Sequence, residues 1–248
     1  MKKKYKQILA VILFLIIWDI SAIGLDMNFL LPRPYFVLLE LFKIFTNNTI
    51  LIIIMNSIKS IMAGLILSFI IGIIFSLLSS RFEIIKIMIS PYITIIKSTP
   101  VASFIILFIV LLSNKYITTF ISFLMCFPIV YSNFLEGINS IDKNLTGMSK
   151  VYKMSTSNKF LYIYLPHLKP FLESSINVCV GLAFKSGIAT EVIGLPKNTI
   201  GEKMYDAKIY LETTNMIALT IIVVVFSIIL EKVLHILINA FYKKLYSK

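Results

Sequence analysis

A chain of 248 residues that is 58% hydrophobic and only 15% charged, with a net charge of +12, does not have the composition of a soluble domain, whose core would be wrapped in far more charge. Runs such as 61–78 and 216–230 carry no charge over lengths close to the ~20 residues that cross a bilayer, so the class is an all-α polytopic membrane protein. The apolar blocks are continuous rather than alternating, which excludes a transmembrane β-barrel, and the excess of Lys and Arg sets orientation in a lipid bilayer rather than marking a nucleic-acid partner.

In chain order, the basic start Met1-Lys2-Lys3-Lys4-Tyr5-Lys6 followed by Ile8–Trp18 imitates a signal peptide. The apolar stretch continues to about Leu25, so an uncleaved first span is expected over 8–25. Leu31-Pro32-Arg33-Pro34 is a stiff turn. Apolar residues at 37, 38, 41, 42 and 45 then follow a helical period and predict a short helix lying at the outer surface. Further spans are expected at about 50–78, 93–112, 117–135, 174–193 and 213–233, six in all. The second block is longer than one span needs, which puts its first turns and Lys59 at or beyond the membrane surface. The segment 194–211 has balanced charge and no apolar run. With the N-terminus inside, the cytoplasmic stretches hold fifteen Lys and Arg against six outside, which predicts cytoplasmic N- and C-termini.

The one long polar interruption is 137–170, with five lysines (Lys143, Lys150, Lys153, Lys159, Lys169) against the single acid Asp142. Apolar residues at 138, 141, 145, 148 and 152 predict one amphipathic helix over 138–152, with Lys143 and Lys150 on the opposite side. Asp142 or Ser140 suits its N-cap, and Ser155 suits the N-cap of a second short helix through 160–165. Pro166 and Pro170 are expected to bend the chain before the next span. Such an insert can lie on the membrane, pack beneath its own bundle, or lay one face into a partner's groove.

The spacing within the insert resembles the cytoplasmic loop of ABC importer permeases, with its Glu-Ala-Ala…Gly…Leu-Pro signature. Gly147-Met148-Ser149 stand at the Glu-Ala-Ala positions, Lys153 six residues after Gly147 stands at the Gly, and Leu165-Pro166 follow. Elsewhere the chain is similar to the nitrate, sulfonate and taurine branch, which includes permeases for pyrimidine precursors. Trp18, Leu31-Pro32-Arg33-Pro34 with Val37-Leu38, Ser57 with Gly64 and Gly72, Ser90-Pro91 with Ser98-Thr99-Pro100-Val101-Ala102, and Glu191-Val192-Ile193-Gly194 followed by Gly201 carry that likeness. Two signature residues depart from the family: Gly147 replaces the Glu, and Lys153 replaces the turn glycine. Because a lysine tolerates a left-handed backbone poorly, the turn is expected one or two residues later, within 155–158.

The resemblance implies a single permease domain and a homodimer. It also implies cytoplasmic ABC ATPase subunits seated on the loop and an extracytoplasmic substrate-binding protein that delivers a small anionic or organic solute. The ATPase-coupling residues are then Leu145, Gly147, Met148, Ser149, Lys150, Tyr152, Lys153, Leu165 and Pro166, with Leu145, Met148 and Tyr152 as the contacting face. Charges within spans are functional candidates: Lys185 as a path residue attracting an anion, Glu191 as part of a docking surface or outer gate, and Pro100 as a kink shaping the path. Lys97 reads as interfacial and Asp19 as an outer anchor. His167 and His235 have no metal-ligand spacing, Cys126 and Cys179 read as buried small residues, and no catalytic set or phosphate-binding loop is present. No cofactor or metal is expected, and no enzyme. The alternatives are a secondary transporter or channel without an ATPase, a membrane-embedded enzyme, and an assembly subunit.

Overall fold

The computed structural model describes residues 2–25 and 30–246, and every regular element among them is helical. In order these are α1 (Lys2–Leu25), α2 (Pro34–Thr46), α3 (Asn48–Arg81), α4 (Glu83–Ser98), α5 (Val101–Leu111), α6 (Asn114–Asn139), α7 (Lys143–Val151) and α8 (Thr156–Lys159). A π-helical turn (Phe160–Tyr164) follows, then α9 (Leu165–Gly194), α10 (Ile200–Ile209) and α11 (Thr213–Tyr246). Among the described residues five helices are long and apolar enough to cross a membrane, or six where the bent pair α4 and α5 is taken as one span. The predicted surface helix is α2, begun by Pro34 in its first turn.

Two elements differ from the sequence reading. The third span begins at Glu83 and is broken, because α4 and α5 meet at an angle of 108°. Pro100 disfavours helical backbone at Thr99, which is extended (φ −85°, ψ 133°). The segment 194–211 contains α10, which the absence of an apolar run concealed. Its signal was the cap: Thr199 Oγ1 accepts from Glu202 N at 3.3 Å while Glu202 Oε2 accepts from Asn198 N at 2.6 Å, a variant of the capping box.

The core is the bundle of α3, α6 and α9. Its buried side chains include Ile54, Ile61 and Leu65 of α3, Cys126 and Val130 of α6, and Cys179, Val180 and Ala183 of α9. Lipid is as apolar as leucine, so helices in a membrane associate through close packing and small residues rather than hydrophobic expulsion. Here Gly64 and Gly72 bring α3 against α6: a Cβ at Gly64 would lie 2.4 Å from Thr119 O, and one at Gly72 would lie 2.8 Å from Val130 Cγ1. Thr119 Oγ1 donates to Ser60 O at 3.0 Å, Ser122 Oγ to Ala183 O at 3.3 Å, and Cys126 Sγ to Cys179 O at 3.3 Å. The expected burial of both cysteines holds.

The flanking elements dress this bundle. Against the α4–α5 side sit clusters around Ile105, Ile117 and Ile121 and around Ile93 and Tyr131. Helix α11 packs on α9 and α2. Helix α1 is tied to the turn before α2 by a bidentate pair, Arg33 Nε and Nη2 donating to Asp19 at 2.9 and 3.1 Å, and by Trp18 Nε1 donating to Pro32 O at 3.1 Å.

A Gly64→Ala substitution should destabilise the bundle by about 1–3 kcal/mol through overpacking, read as a lower melting temperature in detergent. Gly181→Ala, whose new Cβ meets nothing within 4 Å, should leave the melting temperature unchanged or raise it; equal behaviour of the two variants would contradict the close α3–α6 contact.

Candidate functional site

At one end of the bundle, the polar insert forms a compact structure of its own. The single helix expected over 138–152 is divided: α6 runs to Asn139, and α7 starts afresh at Lys143 with Asp142 Oδ1 accepting from Asn144 N at 2.8 Å as its N-cap. Leu145, Met148 and Tyr152 are all exposed, and so is Val151, at 80% the most exposed of this apolar set. Val151 stands three residues after Met148 and so fits the helical series, which was carried from Met148 to Tyr152 without it. Ser149 points inward and is buried. The side chains of Lys143 and Lys150 lie outside the described residues.

The turn after α7 falls at Lys153 itself, not at 155–158. Lys153 takes φ 49°, Tyr152 N bonds to Met148 O at 3.0 Å, and Met154 N reaches back to Ser149 O at 2.9 Å. That is a Schellman closure with lysine in the left-handed position usually held by glycine, so hydrogen bonding to the last carbonyls of α7 overrides the lysine's own preference. Gly147 meets nothing within 4 Å of a would-be Cβ. Ser155 Oγ then accepts from Asn158 N at 3.3 Å, capping α8 as expected.

Pro166 and Pro170 do not separate the loop from the next span. Helix runs from Thr156 to Gly194, with Pro166 at the start of α9 and Pro170 inside it. The accommodation is the π-helical turn: Leu165 N bonds to Phe160 O. Because Pro166 has no N–H to follow it, Leu161 O lacks a helical donor, and Tyr246 Oη supplies one at 2.7 Å. Tyr242 Oη donates to Leu165 O at 2.8 Å. The root of α9 is also pressed on α6, since a Cβ at Gly137 would lie 2.8 Å from the Phe171 ring, and Ser140 Oγ lies 3.1 Å from His167 Nε2. The root of the insert, at the π-helical turn and the start of α9, is therefore gripped by α6 and α11, while the apolar face of α7 stays uncovered.

At the opposite end, Glu191 is fully buried. Its Oε2 accepts from Ser57 Oγ of α3 at 2.7 Å and from Gly201 N of α10 at 3.2 Å, and Ser57 Oγ also accepts from Ile200 N at 2.8 Å. Glu191 thus takes the free Gly201 amide and Ser57 that of Ile200, which fixes the first turn of α10 to α9 and α3. Gly201 is required, because a Cβ there would stand 2.2 Å from Glu191 Cβ. Beside this brace, Leu195 and Asn198 are both left-handed (φ 50° and 59°). Their loop walls a hollow of about 610 Å³ lined by Lys59, Lys115 and Lys197 with Asn56, Ser60 and Thr118. Lys185 is exposed on α9, turned away from the fully buried Glu191. Pro100 is exposed at the α4–α5 break. His235 Nε2 lies 2.5 Å from Asn177 Oδ1, which gives that histidine a bridging role between α11 and α9.

Residues 68–246 match the family described as "Binding-protein-dependent transport system inner membrane component". Over 206 residues the chain is 21% identical to a probable ABC transporter permease protein of Brucella melitensis biotype 1, an alignment covering 83% of each chain. It is also 21% identical to a probable ABC transporter permease protein of Brucella abortus (strain 2308), covering 83% of this chain and 82% of that one. Its fold is similar to the crystal structure of an amino acid ABC transporter with histidines, with a TM-score of 0.57 and 16% identity over 77% of this chain and 92% of that chain.

Two substitutions test the local geometry. Lys153→Gly should relieve the left-handed turn by about 1 kcal/mol, seen as slower hydrogen exchange in α7. Ser57→Ala removes both the donor to Glu191 and the acceptor for Ile200 N, and should destabilise that end by about 1–3 kcal/mol, seen as faster tryptic cleavage after Lys197.

Proposed function

From the premise that the chain belongs to the binding-protein-dependent transport system inner membrane component family, and is accordingly an ABC transporter permease subunit rather than a catalytic enzyme, we propose that it works as one half of an importer's translocation path. In this reading a second copy completes the path, two ABC ATPases supply the energy from the cytoplasm, and an extracytoplasmic binding protein delivers solute. Both termini are cytoplasmic. The observation that carries the proposal is the exposed apolar face of α7 (Leu145, Met148, Val151, Tyr152) on an insert whose far end is bonded to α11.

The physical logic is rigid-body transmission. A helix laid in an ATPase groove moves when the ATPases close, and the movement passes to the bundle through parts that do not yield. Leu165 and Pro166 begin α9 without a flexible joint, and the tyrosine bonds from α11 to Leu161 O and Leu165 O make two spans respond together. Gly147, Ser149, Lys150 and Lys153 complete the coupling set: Ser149 seats α7 inward, and Lys153 sets the turn. At the other end, Glu191 acts as the brace of an outer gate. The lysine-lined hollow beside it supports docking of the binding protein through acidic groups. Pro100 and Lys185 are assigned to the path.

The solute is proposed to be small and anionic or organic, of nitrate, sulfonate, taurine or pyrimidine-precursor type. Support for that branch lies in the Leu31-Pro32-Arg33-Pro34, Ser98-Thr99-Pro100 and Glu191–Gly194 segments. A secondary transporter or channel would need no uncovered face on α7 and no such anchoring of its insert.

Met148→Asp places a charge in the middle of the proposed contact. It should abolish capture of the co-expressed ATPase and transport-coupled ATP hydrolysis, with insertion in the membrane unchanged; a variant that still retains and stimulates the ATPase would refute the assignment.

A further inference from the structure

Taken together as one bent span, α4 and α5 break inside the membrane. Ile96 and Val101, on either side of the break, pack into the cluster of Ile117, Ile121 and Met125 in the first half of α6, and Lys97 reaches Ser132 farther along the same helix. Irregular backbone is tolerated at such depth only where protein covers it or where it lines a water-filled space. Ser98 and Pro100 are exposed and Thr99 is half-buried, so this chain does not cover the break. Pro100 has no N–H to offer Ile96 O, which leaves carbonyl groups at the end of α4 in need of water or another donor.

The sides of α4 agree. Ile89, Ile93 and Ile96 face the bundle. Met88, Tyr92 and Ile95 form an exposed apolar side suited to lipid. Between them runs a polar side, Ser90, Thr94 and Lys97, spaced i, i+4 and i+7. Lys97 Nζ donates to Ser132 Oγ of α6 at 2.9 Å, and no ion pair of Lys97 is found among the described residues. Ser132 in turn lines a hollow of about 510 Å³ running along α6 to Glu136, Asn139 and Ser140. A cation at membrane depth normally pairs with an acid or faces water. Lys97 has no acid partner among the described residues, and Glu136 lies a turn farther toward the insert than Ser132.

We propose that the α4–α5 break and the polar side of α4 line a water-filled passage in which Lys97, steered by Ser132, coordinates the anionic group of the passing solute, a carboxylate, sulfonate or similar oxyanion. The ammonium sits where α4 ends, held by Ser132 Oγ at 2.9 Å. Ser132 accepts from Lys97 and offers its own hydroxyl hydrogen to the same oxyanion, while the hydroxyls of Thr94 and Ser98 are turned to Ser90 O and Ile95 O. Specificity for anions thereby resides in the broken span, not at Lys185. The inference deepens the permease reading and rests on it for solute movement, but the wet, anion-preferring space is measurable without transport.

The test uses the full-length permease with its ATPase in membrane vesicles, with Cys126 and Cys179 replaced by alanine and single cysteines introduced at Ser98 or Ile95. The probes are the negatively charged sulfonatoethyl and positively charged trimethylammonioethyl methanethiosulfonates. Ser98→Cys should react with the water-soluble reagents, and Ile95→Cys, on the apolar side, should not. Adding Lys97→Gln to Ser98→Cys should lower the ratio of anionic to cationic labelling rates about tenfold, the effect of one unit charge at close range in water, and Lys97→Arg should preserve it. Taking the ratio cancels changes in the thiol's own reactivity. An unreactive Ser98→Cys, or a ratio indifferent to Lys97→Gln, overturns the proposal. If the ATPase is captured while Ser98→Cys stays unlabelled, this inference alone fails; if labelling is charge-selective but no ATPase is ever retained, the permease-coupling reading fails instead.

Discussion

The close approach of α3 to α6, and of α9 to both, is the constraint on which the rest of the structure depends. Gly64, Gly72 and Gly187 let backbones come near enough that any Cβ would meet Thr119 O, Val130 or Ile61 within 3 Å. In hydrocarbon this proximity supplies the cohesion that expulsion of water supplies elsewhere, and interhelical bonds such as Ser122 to Ala183 O add direction to it. Three helices locked in this way form a rigid beam. Both functional ends hang from it: Gly137 and Phe171 continue the close contact toward the insert, and Ser57 and Glu191 continue it toward α10.

The two ends solve the problem of unsatisfied polar groups in opposite ways. At the insert, prolines and a π-helical turn create an orphan carbonyl, and tyrosines from α11 reach in to bond the strand of helix that bears it. At the other end, a buried carboxylate collects a hydroxyl and a helix-start amide. Each solution joins an element to a neighbour distant in sequence. Motion applied at α7 would therefore not be absorbed by a hinge at Pro166, since no hinge exists there. The proposed ATPase-facing loop is stiff for the same reason that it is able to hold a lysine at φ 49°: several hydrogen bonds fix the turn at once, and together they outweigh one unfavourable backbone state. The α4–α5 break is the contrasting case: Ser98 and Thr99 both turn back on Ile95 O, and Lys97 beside them is bonded to Ser132 but to no acid among the described residues.

Much of this was legible in the residues. Long uncharged runs located the spans, although α4 begins at Glu83 rather than 93, α9 at Leu165 rather than 174, and α11 continues to Tyr246 rather than 233; the spacing of 37, 38, 41, 42 and 45 located α2, and Ser155 and Asp142 were recognisable caps. The Leu165-Pro166 pair at a fixed distance from Gly147 marked the insert even though two signature positions had changed. Other features were hidden for identifiable reasons. Helix α10 has mixed charge and no apolar run, so only its Thr199–Glu202 cap betrayed it. The break at 99–100 looked like a kink, because a proline in a span shows that the helix is disturbed but not by how much. Lys97 looked interfacial because sequence counts its distance from apolar residues, not the fold of the chain around it.

The amino-acid sequence by itself determined the membrane class, the order of helices, the basic insert and its resemblance to a permease loop. Those are local matters of composition, period and spacing, and every residue carries its own share of them. Only the tertiary structure decided that Glu191 is a brace, that the turn stays at Lys153, that the helix passes through Pro166, and that Lys97 stands beside Ser132 at a broken span. Each of these rests on partners tens of residues away: Ser57 with Glu191, Ser132 with Lys97, Tyr246 with Leu161. A side chain's preference is written where it stands in the chain, but whether that preference is met, overridden or left open is settled by which distant atoms folding brings within hydrogen-bonding reach.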